Sequence, residues 1–135
     1  MNQLRSDANH CFVCGPANPI GLQLQFSLQG DKCVAEFTPG EHHCGYDKVT
    51  HGGIIFSALD DVMANWLFLK GLKAFTAKCE IRYRGSLPVG THVTLESHCI
   101  RQKARLTQMV ATMTRSDTQE IIADCEASFM MIADS

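Results

Sequence analysis

The chain has 135 residues, of which 45% are hydrophobic and 19% charged, with a formal net charge of -2. That length suits one domain spanning 1–135 with a sizeable core, and the composition is too apolar for disorder and too interrupted by charge for a membrane protein. Lys and Arg are scattered without a basic stripe, so no nucleic-acid partner is expected. The start, MNQLRSDANH, lacks a secretory pattern, and no unbroken apolar run approaches a membrane span. Seven cysteines at irregular spacings fit reduced thiols better than a disulfide framework, which predicts a cytoplasmic protein without membrane attachment.

Residues 1–21, rich in Asn, Pro, Gly and Cys, have no sustained period and predict an irregular lead-in. LQLQFSL at 22–28 alternates strictly, with Leu22, Leu24, Phe26 and Leu28 on one face; Gly30 and Asp31 supply a turn, and KCVAEFT returns as a second strand. Pro39 and Gly40 end that hairpin, the loop EHHCGYDKVTH follows, and a helix is predicted from about Gly52 to Lys70, closed by Gly71. Four further strands are predicted at roughly 75–84, 91–101, 105–115 and 121–132, with turns at Pro88-Val89-Gly90, Gln102-Lys103 and Ser116-Asp117. The order β-β-α-β-β-β-β with short antiparallel turns implies an α+β domain in which a curved sheet covers one helix.

That helix carries two adjacent aspartates. Asp61 shares its stripe with Ser57, Asn65, Ile54 and Phe68, which suits an ordinary exposed acid. Asp60 lies among Gly53, Phe56, Met63, Ala64 and Leu67, an apolar stripe that should face the sheet or another subunit. A carboxylate there needs a partner or a use. At the other end, His51-Gly52-Gly53 opens the helix, where unpaired backbone N–H groups and small residues can hold a developing negative charge.

The stretch HGGIIFSALDD, with Asp nine positions after the His, resembles the helix motif of the hotdog-fold acyl-CoA thioesterases, in the branch of the phenylacetate-pathway enzymes. CFVCGPANPIGLQLQF and FTAKCEIRYRGSLPVGTHV look like the lead-in and the post-helix strand of that branch. The resemblance implies a hotdog fold of about six antiparallel strands around one helix, and hydrolysis of an acyl-CoA or related thioester. Asp60 would be general base or nucleophile, the Gly52 N–H would polarise the carbonyl, His51 would shape the turn or bond the substrate, and Thr76 would orient the water. Gly53 would let substrate approach closely, and Arg82, Arg84, Lys103 and Arg105 are candidate contacts to coenzyme A phosphates. The resemblance also implies a homodimer or dimer of dimers, with sheets joined edge to edge, Phe56, Met63 and Leu67 buried against the partner, and each site at the seam. Relatives often carry Asn or Gln six residues before the HGG histidine; here Gly45 stands there, leaving Asp47, His42 or His43 as substitutes.

Other constellations compete with this one. His10, Cys11 and Cys14 offer metal ligands, with Cys33, Cys44, His42 or His43 as possible completions, but no second C-x-x-C exists, so no metal and no cofactor are expected. A hotdog dehydratase or hydratase, or a non-catalytic acyl-CoA binding module, are the rival activities. A Ser-His-Asp hydrolase is excluded, because no G-x-S-x-G elbow is present.

Overall fold

A computed structural model describes residues 8–132. The first seven residues of the lead-in and the last three of the chain lie outside that range.

The architecture is built around α1 (Gly52–Leu69), an 18-residue helix apolar enough by length and composition to cross a bilayer. It lies instead under a sheet, with Ala58, Leu59, Val62 and Met63 fully buried. The sheet has six strands: β1 (Ser27–Gln29), β2 (Lys32–Phe37), β5 (Ala74–Tyr83), β6 (Val93–Lys103), β7 (Leu106–Arg115) and β8 (Ile121–Met131), in the order β1-β2-β6-β7-β8-β5, all neighbours antiparallel. Its inner face supplies Leu95, Met109, Met113, Ala123, Ala127 and Phe129, which close over the helix. This is the predicted α+β arrangement of one helix on six antiparallel strands.

The helix is tied to the sheet by polar bonds as well as by burial. The Ser97 hydroxyl donates to the Val62 carbonyl at 2.6 Å, and Trp66 Nε1 donates to the Asp31 carbonyl at 2.7 Å. Gly71 ends it at φ +80°, a left-handed position suited to glycine. Met63 and Leu67, expected against a partner, are buried in the subunit's own core. Phe56 is only half-buried.

Three elements differ from the pattern expected of the sequence. The alternating run 22–28 forms ladder only from Ser27 onward: Gln23 takes φ +55°, and Leu22 and Leu24 donate their N–H groups to the Phe12 and Val13 carbonyls. The lead-in therefore adheres to this segment, and Leu24 and Phe26 are buried ahead of β1. The loop before the helix contains a 3-10 turn (Glu41–His43) and a small hairpin, β3 (Cys44–Tyr46) with β4 (Val49–Thr50). The β6–β7 turn falls two residues later than Gln102-Lys103, with Lys103 paired to Leu106 and Ala104 at φ +55°.

Leu59 is fully enclosed between helix and sheet. Leu59→Ala is expected to cost about 2 to 5 kcal/mol, read as a lower urea midpoint at unchanged slope.

Candidate active site

Strand β5 occupies one edge of the sheet and, among the described residues, pairs only with β8. Its inner face should follow strict alternation, which would place Thr76 outward with Lys78, Glu80 and Arg82. A bulge between Thr76 and Lys78 breaks that period: Thr76 stands opposite Phe129 and Cys79 opposite Ala127, so both face the helix. The bulge thereby aims the Thr76 hydroxyl at the Asp60 carboxylate, to which it donates at 2.7 Å.

Asp60 is half-buried at this flank of α1. Burial raises its carboxyl above the ordinary value, and the Thr76 hydrogen bond pulls it partly back. The neighbouring thiols are kept neutral: Cys79 is pushed up first by burial and then by the Asp60 charge, and burial likewise dominates at Cys125.

The helix N-terminus is built separately. His51 is the N-cap, and its Nδ1 accepts the Gly53 N–H at 2.7 Å. A Cβ on Gly53 would stand 3.0 Å from that nitrogen, so the glycine makes room for the cap. The Gly53 N–H is thus occupied, whereas the Gly52 N–H has no acceptor among the described residues. Tyr83, from the end of β5, donates its hydroxyl to the Gly52 carbonyl at 2.8 Å. An open cleft of about 540 Å³ lies here, lined by Gly45, Thr50, Gly52, Ile55 and Tyr83 among others. Thr50 is 5% exposed and its hydroxyl has no hydrogen-bond partner among the described residues.

Sequence reasoning missed Thr50 and Tyr83; only their nearness to HGG and to the strand end signalled them. It also left the Gly45 departure unexplained. A Cβ there would lie 3.2 Å from His51 Cα, so the hairpin rests against the HGG turn and leaves little space for a longer side chain. Of the suggested substitutes, His43 Nδ1 is taken by the Gly40 N–H at 2.9 Å, and His42 and Asp47 are exposed.

Not all candidates converge. Gly52 and Asp60 are eight residues apart on one helix, about 12 Å of rise. Arg82 and Arg84 sit at the Tyr83 end of the sheet, 3.9 Å from Glu80 and bonded to Asp124 respectively. Lys103 and Arg105 flank the β6–β7 turn, at the other end. Six positions of β8 separate Asp124, opposite Arg82, from Met130, opposite Leu106, or about 20 Å. Within one subunit the two pairs of cations thus stand at opposite ends of the sheet. Asp61 also departs from expectation: it is half-buried rather than exposed, with Asn65 Nδ2 donating to its Oδ2 at 3.1 Å, because the lead-in covers that side of the helix.

Residues 47–122 match the family model of the thioesterase superfamily, more than half of the chain. The chain belongs to the thioesterase superfamily. Acyl-coenzyme A thioesterase THEM5 of Homo sapiens is 25% identical over 101 residues, covering 75% of this chain but 41% of that protein, so the chain spans about two fifths of the relative's length. The fold matches the PaaI protein of E. coli from the phenylacetic acid degradation operon (TM-score 0.77, 19% identity, 84% and 83% of the two chains). It also matches a hypothetical thioesterase with coenzyme A from Streptococcus pneumoniae TIGR4 (TM-score 0.77, 15% identity, 82% and 90%).

Because the Asp60 carboxyl is raised on folding, its protonated form is favoured by the folded state. Its stabilising contribution is complete below the ordinary value of 3.8 and is lost as pH rises through the raised value. Asp60→Asn keeps an acceptor for Thr76 and carries no charge. Its thermal midpoint should therefore exceed that of the parent at about pH 7.5 by a few degrees, the gap closing on acidification.

Proposed function

We propose that this protein hydrolyses an acyl-CoA or related acyl thioester, with Asp60 as the reacting carboxylate and Thr76 as its positioning partner. The observation that carries this reading is the half-buried Asp60 held at 2.7 Å by a hydroxyl that a strand bulge turns inward. A partly desolvated carboxylate with a raised pKa is a better base toward water, or a nucleophile toward the carbonyl. As base, Asp60 takes a proton from water while the hydroxide oxygen adds to the carbonyl carbon. The tetrahedral adduct then expels the thiolate, which takes up a proton, and the carboxylic acid remains. As nucleophile, Asp60 displaces the thiolate first and water cleaves the resulting anhydride.

The developing oxyanion needs a donor, and the Gly52 N–H is the one left without an acceptor at the helix start. About 12 Å separates it from Asp60 along the same helix, too far for one carbonyl to touch both. A two-fold dimer formed along the open edge of β5 resolves this, by running a second helix antiparallel to the first so that Gly52 of the partner subunit faces Asp60. The 10-residue edge strand, with exposed Phe75 and Tyr83, is the kind of edge that calls for cover.

A screen of acyl-CoA thioesters should reveal free-thiol release, and Asp60→Asn should lower turnover by about 10² to 10⁴ while the protein stays folded. Saturable binding with no thiol release from any thioester would replace this reading with that of an acyl-CoA binding module. Sedimentation at micromolar concentration should give a dimer or larger; an active monomer would rule out the shared site.

A further inference from the structure

The C-x-x-C pair in the lead-in plays no part in the chemistry above. Cys11 and Cys14 bracket a tight knuckle: the Cys11 N–H bonds the Ala8 carbonyl at 3.1 Å, and the Gly15 N–H bonds the Cys11 carbonyl at 2.9 Å. A Cβ on Gly15 would lie 2.3 Å from the Cys11 nitrogen and 2.5 Å from the Asn9 oxygen, so only glycine lets the chain fold back over Cys11. Val13, between the two cysteines, is 6% exposed and plugs the knuckle into the core.

Opposite this knuckle stands Asp61. The donor atoms of Cys11, Cys14 and Asp61 lie within 4.8 Å of one another, and all three residues are half-buried. Asn65, one helical turn on and 4% exposed, places its Nδ2 3.1 Å from Asp61 Oδ2 and 4.0 Å from Cys14 Sγ. That is how an outer amide commonly orients metal ligands.

We propose that Cys11, Cys14 and Asp61 form a structural site for one thiophilic divalent cation, zinc by ligand chemistry. Two sulfurs and a carboxylate suit a borderline-soft tetrahedral ion and exclude magnesium and calcium, which take oxygen ligands. Tetrahedral zinc holds its donors about 3.5 to 3.8 Å apart, so side-chain rotation closes the cluster without moving the helix. Water fills the fourth position. Binding releases the two thiol protons, with no change of oxidation state. The sequence predicts no metal for want of a second C-x-x-C; the fold supplies the third donor from the helix, next to the catalytic candidate but on the other flank. The bound ion would clamp the lead-in to α1.

The test uses the full chain, reduced, stripped with chelator and titrated with cobalt(II). One equivalent should bind with tetrahedral visible bands and a thiolate-to-cobalt charge-transfer band, and zinc should displace it. Cys11→Ser and Cys14→Ser should each weaken binding and at least halve the charge-transfer band per bound cobalt, and Asp61→Asn should weaken binding at least tenfold. Zinc should raise the thermal midpoint of the parent but not of Cys14→Ser. Should a serine variant fail to fold, alkylation of the parent decides: zinc should protect Cys11 and Cys14 and spare neither Cys44 nor Cys99. Cobalt binding without a sulfur band, a band undiminished by Cys14→Ser, equal alkylation with and without zinc, or no binding to the folded reduced chain would each overturn the proposal.

Discussion

A helix that is buried under a single curved sheet has only two flanks left through which polar groups can reach anything but hydrocarbon, and this geometry organises the rest of the molecule. Leu59, Val62 and Met63 commit the middle of α1 to the sheet. Asp60 and Asp61 follow one another within that stretch, and neighbours on a helix diverge by about 100°. They emerge on opposite flanks: Asp60 toward the edge strand and Thr76, Asp61 toward the lead-in and its cysteines. Two carboxylates adjacent in sequence thus acquire separate environments without a break in the helix.

Each flank is then completed by a different device. On one, a bulge reverses the facing of a threonine within an otherwise solvent-directed row. On the other, an irregular segment folds over the helix and bonds to the start of β1's own approach, through Leu22 and Leu24. Partial burial of Asp60 costs the folded state some stability at neutral pH and raises the carboxylate's basicity. The same desolvation has both effects, so the two cannot be separated by mutation at Asp60 itself.

What could be read from the sequence follows from what is periodic. The helix bounds, the hairpin turn at Gly30 and the strands after the helix were set by apolar spacing and turn residues, and the structure matches them within a few residues. Asp60 stood out because its stripe is apolar, and HGG because it opens the helix. The features that escaped are those that break a period or join distant segments. Strict alternation hides the Thr76 bulge, the left-handed Gln23 interrupts an alternating run before its strand begins, and the cover over Asp61 comes from a stretch fifty positions earlier. Candidate cations chosen by position on strands proved to lie at opposite ends of the sheet, which only register reveals.

Tyr83 and His51 bond the two ends of one peptide unit. The tyrosine hydroxyl donates to the Gly52 carbonyl, and the amide N–H of that same peptide, on Gly53, donates to His51 Nδ1. Hydrogen bonds in series polarise one another, so drawing electron density toward the carbonyl makes the amide proton a stronger donor to the ring. A ring nitrogen that accepts carries no proton, which leaves the proton of the neutral imidazole on Nε2. The phenol of a strand residue therefore helps decide which atom of the histidine is the donor beside the cleft, and it does so through covalent bonds rather than through space.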